Sequence, residues 1–234
     1  DILRIYGYNN VEIPTELKSS LTIAEEADKD YHRENIIGEQ LVGEGFSEIM
    51  NNSLTKSSYY EETELNAYPW DETVKIMNPL SADLGVMRQT LLFGGLESIV
   101  RNINRKAQNL RFFEVGNVYK YNKEKWTEDS PVKAYIQKHH MALWVTGKHI
   151  QGSWAHPDEE SSFYELKAYV ENILRRIGIA QGLLVYAKSD NNVFDKAIAL
   201  KTRAGKTLVE MGILAHKLLK RFNIEQKVYY AELD

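Results

Sequence analysis

The chain has 234 residues, 43% of them hydrophobic and 26% charged, with a formal net charge of −4, the make-up of a globular protein with an ample core. It has no cysteine, which excludes disulfides, thiolate metal sites and cysteine nucleophiles. No apolar run approaches the roughly 18 residues of a membrane span, no basic-plus-apolar leader opens the chain, and the acidic balance argues against a surface devoted to gripping nucleic acid.

Residues 1–14 (DILRIYGYNNVEIP) predict the end of a helix, a turn at Gly7-Tyr8-Asn9-Asn10 and an exit segment stopped by Pro14. The start at Asp1 rather than Met reads as a piece of a longer polypeptide, and the polar, acidic residues 15–30 read as a linker entering a helix. Over 29–43 the apolar residues Ile36, Ile37, Leu41 and Val42 recur at helical spacing, until Gly43 and Gly45 end the run. Residues 46–55 read as one strand. Beyond a turn at Asn78, a helix presents Leu92, Leu96, Ile99, Val100 and Ile103 on one face, broken only by Gly94-Gly95. Strands over 110–121 and 134–146 flank a charged loop, 122–131. Phe163, Leu166, Val170, Ile173, Leu174 and Ile177 line a helix over 163–177 with Gly178 as its C-terminal cap. Residues 203–206 turn a hairpin between two alternating runs, and a helix over 216–222 and a strand over 227–233 finish the chain. Hairpin-linked strands with helices between them predict an α+β fold with a mainly antiparallel sheet.

Several short motifs lack the chemistry they suggest. Gly205-Lys206-Thr207 ends like a phosphate-binding loop, yet Leu200 stands where the first glycine is needed and a strand follows where a helix is required. His139 and His140 are adjacent on a strand, so they face opposite ways and cannot share one ion. His149 and His156 have no carboxylate or cysteine at ligand spacing, and Trp154 in the loop 153–157 is expected to pack on the core edge. Arg101, Arg105, Lys106 and Arg111 fall within eleven residues free of acids, and Lys217, Lys220 and Arg221 form a smaller group. Such clusters are either phosphate contacts or solvated helix ends that complement the helix dipole; Arg101, Arg105 and Lys106 are the candidate RNA contacts.

Four ordered blocks are more specific: Asn78-Pro79-Leu80-Ser81, Met87-Arg88, Arg101-Asn102-Ile103-Asn104-Arg105 and Phe113-Glu114-Val115-Gly116. Together they closely resemble the catalytic-like core of bacterial phenylalanine-tRNA ligase beta subunits, and Arg4-Ile5-Tyr6-Gly7-Tyr8 is similar to the close of the module before it. The resemblance covers essentially the whole chain. It implies a tail of a magnesium-binding module over 1–14 and a class II aminoacyl-tRNA synthetase-like core over 15–234. It further implies a cytoplasmic enzyme that joins phenylalanine to its tRNA with ATP and magnesium, built as an α2β2 tetramer with an alpha subunit.

The resemblance also implies that this core lacks the reaction's own groups. Active class II ligases carry an Arg two residues before a strand Glu, on the same face, where the guanidinium clamps the α-phosphate. Here that position is Phe112, and Arg111 falls on the opposite face from Glu114, so Glu114 is expected to be a structural carboxylate bonded to backbone or to a nearby arginine. The counterpart of the Gly-rich ATP-binding strand, 209–216, keeps only Gly212, and Arg221 comes too late to replace the missing arginine. The family's subunit interface maps to 33–55, with Ile36, Ile37, Leu41 and Val42 as contact residues, and the isolated piece is open to forming homodimers instead. Asp1 aligns with one carboxylate of the family's magnesium site; alone it lacks the oxygen ligands a hard cation needs, so no cofactor is expected on this piece alone. The alternatives are an active adenylate-forming ligase clamping phosphate through Arg88 or Arg111, or a free-standing RNA-binding module.

Overall fold

The computed structural model describes residues 1–12, 26–61 and 65–234, which form two compact units, Asp1–Arg33 and Glu34–Asp234. In the first, α1 (Ile2–Tyr6) is exposed along its length and is followed by a tight turn over Tyr8–Asn10. Gly7 reverses the chain at φ 91°, which a residue with a Cβ rarely adopts, and its N–H donates to Leu3 O at 2.9 Å. The Asn10 amide closes the turn on Tyr6 O at 2.6 Å. Most of the expected linker lies outside the described residues, and α2 (Glu26–Gly43) begins before the expected start at 29.

The second unit is built on one seven-stranded sheet. Its elements in chain order are β1 (Ser47–Glu48), β2 (Leu54–Thr55), α3 (Ser58–Glu61), β3 (Val86–Met87), α4 (Leu92–Ile103), β4 (Leu110–Tyr121), β5 (Tyr135–Thr146), β6 (Lys148–Ile150), β7 (Glu159–Glu160), α5 (Phe163–Arg176), β8 (Leu184–Lys188), β9 (Phe194–Thr202), β10 (Thr207–Leu214), α6 (His216–Arg221) and β11 (Val228–Leu233). The strand order is β1-β4-β5-β11-β10-β9-β8, and only the β1–β4 pair is parallel. The α+β class and the antiparallel sheet are therefore as expected. The β4–β5 hairpin is its backbone, paired without a break from Leu110↔Thr146 to Tyr121↔Tyr135.

Alternation along these strands sorts the core into two layers. Phe112, Ala142, Trp144 and Tyr230 meet Leu92, Phe93, Leu96 and Ile99 of α4 and Leu218 and Leu219 of α6 on one face. On the other, Phe113, Leu143, Val145, Met211 and Ala231 meet Leu166, Val170, Ile173 and Leu174 of α5 together with Ile37 and Leu41 of α2. Each fully buried large apolar side chain contributes about 1.5–3 kcal/mol. Gly95 is what lets α4 lie on the sheet, because a Cβ there would sit 2.1 Å from the buried Trp144 ring. The glycine pair that interrupts the apolar face of α4 is thus part of its packing.

Three expectations are corrected. Residues 46–55 are not one strand: Ser47–Glu48 joins β4 in the main sheet, whereas Leu54–Thr55 pairs with β3 in a second, two-stranded sheet, and the chain between them turns inward to reach Glu114. Ile37 and Leu41, expected as contact residues, are 8% and 0% exposed and belong to the chain's own core, whereas Val42 is exposed and Ile36 partly so. Trp154 does not pack on the core edge but stands fully exposed. The edge strand β8 and the small β6–β7 hairpin are further elements of the sheet region that periodicity does not reveal.

Candidate functional site

The motif residues converge where β3 and the 49–53 segment cross the middle of β4. Glu114 is 1% exposed. Its carboxylate accepts from Arg88 Nη1 at 2.6 Å, from Asn51 Nδ2 at 2.6 Å and from the Asn51 N–H at 3.2 Å. Arg88, itself 6% exposed, is held along its length: Nε donates to Asn117 O at 2.8 Å, and its backbone bonds Ser53 O at 2.9 Å and Tyr119 N–H at 2.8 Å. Ser98 of α4 donates to Asn51 Oδ1 at 3.1 Å, which ties the helix into the same network. A Cβ on Gly116 would come within 2.3 Å of Arg88 Nη2, so the glycine clears the space the guanidinium fills. The Phe-Glu-x-Gly block is thereby explained atom by atom: the Glu neutralises Arg88 and the Gly admits it.

Two groups weighed as phosphate clamps are committed elsewhere. Arg88 neutralises Glu114. Arg111 lies on the opposite face, where Nε meets Glu165 Oε1 of α5 at 3.1 Å and Nη2 donates to His149 O at 3.0 Å. Burial raises the Glu165 carboxyl, but the His149 hydrogen bond and the Arg111 charge outweigh it and hold the group below its usual range. Phe112 fills the position two before Glu114, buried against the α4 layer. Arg101 is the other arginine at this place, on the rim of a hollow it shares with Asn51, Arg88 and Glu97.

Further along the same sheet face is a cleft of about 390 Å³, lined among others by Tyr68, Val118, Ile136, His140 and Glu232. Glu232 accepts from Thr90 Oγ1 at 2.6 Å and Tyr230 OH at 2.6 Å, and His140 Nδ1 lies 2.9 Å from it. Burial opposes its charge, but the bonds from His140, Thr90 and Tyr230 keep the carboxyl below the usual carboxylate range, while burial pushes the Tyr230 phenol well up. Around the cleft Lys138 sits 2.5 Å from Asp234 and Lys120 2.9 Å from Glu72, while Glu210 accepts from Ser189 Oγ at 2.8 Å and Asn191 Nδ2 at 3.0 Å. This network escaped the sequence reading, although the alternation of Tyr230 and Glu232 on β11 puts both on one face.

The remaining candidates are placed as follows. Arg101, Arg105 and Lys106 are exposed at the end of α4, where Asn102 O accepts from the Arg105 and Ala107 N–H groups and Lys106 takes φ 70°. His139 and His140 do face apart, His139 towards Glu34 at 2.8 Å and His140 towards Glu232. Gly205 turns the β9–β10 hairpin at φ 87°. Gly212 is required by packing, since its Cβ would lie 2.2 Å from Lys196 O. Asp1 is exposed, and among the described residues no group of three or more His, Asp or Glu side chains is placed to hold a metal ion. No helix among the described residues is long and apolar enough to cross a membrane.

Comparison with known proteins is consistent across sequence and fold. Two solved structures of pyrrolysyl-tRNA synthetase from Desulfitobacterium hafniense superpose with TM-score 0.60 at 15% and 13% identity, over 87% of this chain and 65% of theirs, which shows a shared fold. The phenylalanine–tRNA ligase beta subunits of Bacteroides thetaiotaomicron and Porphyromonas gingivalis are 53% and 46% identical to it over 100% of this chain, which spans 28% of their length. A sequence model described as the phenylalanyl tRNA synthetase beta chain CLM domain matches residues 13–234. The chain belongs to the phenylalanyl-tRNA synthetase beta chain CLM-domain family.

Proposed function

We propose that this chain is the non-catalytic core of the beta subunit of a cytoplasmic phenylalanine–tRNA ligase, a scaffold that holds an alpha subunit while that partner carries out the ATP- and magnesium-dependent reaction. The observation that carries this reading is the fate of the clamp: Phe112 stands in the arginine position, and Arg88 is buried as the counter-ion of Glu114. An ion pair 2.6 Å long, with both side chains under a tenth exposed, leaves neither partner available to a nucleotide. On this reading ATP belongs to the alpha subunit, and the paired Arg88 and Arg111 take no part in the reaction.

The docking face is the outward side of α2 and the β1 edge. Val42 is 58% and Met50 91% exposed, Ile36 is partly exposed, and β1 pairs only with β4 among the described residues. Exposed apolar side chains beside an unpaired strand edge favour burial against another chain. In the complete enzyme two such pairs form an α2β2 tetramer, and the isolated piece uses the same face to self-associate. Arg101, Arg105 and Lys106 are free at the surface to meet tRNA phosphates in that assembly.

The test is mass by light scattering after co-expression with the matching alpha subunit. A co-eluting complex that Val42→Asp dissociates supports the scaffold reading and locates its face. A chain that runs alone as a monomer, or a complex indifferent to Val42→Asp, contradicts it.

A further inference from the structure

The β6–β7 hairpin carries a feature that the scaffold reading does not use. Its tip, residues 151–158, is shaped by its own polar groups. The Asp158 carboxylate accepts from the Gly152 N–H at 2.6 Å and lies 2.5 Å from Lys148 Nζ. Ser153 N–H donates to His156 O at 2.9 Å, and Ser153 Oγ accepts from the Ala155 N–H at 3.2 Å. These bonds fix the backbone on both sides of Trp154, whose side chain is 100% exposed. The other three tryptophans are covered to differing degrees: Trp144 is fully buried, Trp70 partly, and Trp126 is 47% exposed. A large aromatic ring carried on a braced turn has the backbone part of its ordering cost met before any contact forms, and a rigid aromatic side chain has few torsions left to fix, the properties of a binding anchor.

The charges beside the ring define what it can enter. Lys148 is matched by Asp158, and His149 and Arg111 by Glu165. Glu159 and Glu160, the two residues of β7, are exposed and have no ion-pair partner among the described residues, which leaves the hairpin with two uncompensated carboxylates. An RNA strand could stack on the ring, but its phosphates would face these carboxylates. A symmetric contact with a second copy would bring four carboxylates together. Protein surfaces that combine an apolar pocket with a Lys or Arg rim satisfy both halves, the rim pairing with the carboxylates and lying over the indole face.

We propose that the β6–β7 hairpin is a docking finger whose Trp154 inserts into an apolar pocket rimmed by lysine or arginine on a partner protein. The inference is independent of the α2 face and of which assembly the chain serves.

The experiment replaces Trp154 with p-benzoylphenylalanine in the full-length protein that carries this chain, irradiates it in its native host, and maps the cross-links. The expected result is a cross-link to one defined protein site with Lys or Arg beside it. Its yield should fall about tenfold or more when Glu159→Lys and Glu160→Lys are added, while the circular dichroism spectrum is unchanged. Cross-links to RNA, scattered cross-links without a defined site, or a yield indifferent to the charge reversal overturn the proposal. Hydroxyl-radical footprinting of the unmodified protein gives a second reading: Trp154 should be protected in the cell-derived complex and reactive in the separated chain, and equal reactivity in both overturns it.

Discussion

Arg88 and Glu114 meet at 2.6 Å with side chains 7% and 2% exposed, so each supplies the opposite charge that the other loses with water, while Asn51 and Asn117 O satisfy further polar atoms of the pair. Their attraction offsets a desolvation cost of several kcal/mol per ion only while both are present. Glu114→Ala should therefore destabilise the protein by about 3–5 kcal/mol, because Arg88 is left charged and buried. The double replacement Arg88→Met with Glu114→Leu should cost markedly less than Glu114→Ala alone. Urea midpoints of the three variants check this, and a double variant less stable than Glu114→Ala would show that the pair is not the source of the effect.

Gly116 reports on the same guanidinium from below. A Cβ there would lie 2.3 Å from Arg88 Nη2 and 3.6 Å from Leu91. Gly116→Ala should cost about 1–3 kcal/mol, the price of overpacking a tight site. Gly43→Ala, which meets nothing within 4 Å, should stay within about 0.5 kcal/mol. If Arg88 is the obstacle, the Gly116→Ala penalty shrinks in an Arg88→Ala background, a coupling that a double-mutant cycle measures.

Much of this architecture is legible in the sequence where one period dominates. The strand over 110–121 occurs as bounded, and the helix that carries Leu92, Leu96, Ile99, Val100 and Ile103 on one face occurs as Leu92–Ile103, because alternation and a 3.6-residue repeat dominate there despite the Gly94-Gly95 interruption. Residues 46–55 failed because local alternation carries no information about partners: Asn51 is drawn to Glu114, 63 positions away, and that contact splits the run between two sheets. The four apolar residues of α2 looked alike for a similar reason. Ile37 and Leu41 share a stripe, but only the sheet beneath them determines which stripe is core. Glu114 was expected to bond backbone or a nearby arginine and does both, but which arginine was not legible, since an ion pair between β4 and the loop before α4 depends on tertiary contact alone.

The two stripes of α2 should separate in experiment. Leu41→Ala should cost about 2–5 kcal/mol, as expected of a fully buried leucine. Val42→Asp, at a position 58% exposed, should leave stability within about 0.5 kcal/mol and act only on association. Thermal denaturation of both variants, read beside their mass in solution, tells core from contact surface.

Acid should weaken the protein through its buried carboxylates. Glu232 and Glu165 are both held below the usual carboxylate value of 4.5 in the folded state. A depressed folded-state pKa means that the unfolded chain binds the proton first, so their stabilisation is complete above about pH 5 and is lost as pH falls below 4.5 towards the folded values. Glu232→Gln should lower stability at pH 7 and flatten its dependence as pH falls below 4.5, as seen in unfolding midpoints measured from neutral into acid. A variant that keeps the full slope would assign the acid sensitivity to other groups.

The most direct test of the central claim is calorimetric titration of the folded chain with ATP and magnesium. With Arg88 spent on Glu114, Arg111 on Glu165, and Phe112 in the clamp position, no saturable binding should appear with a Kd tighter than about 1 mM. Stoichiometric binding well below that concentration, abolished by Arg88→Ala, would contradict the account and return the chain to the active ligases.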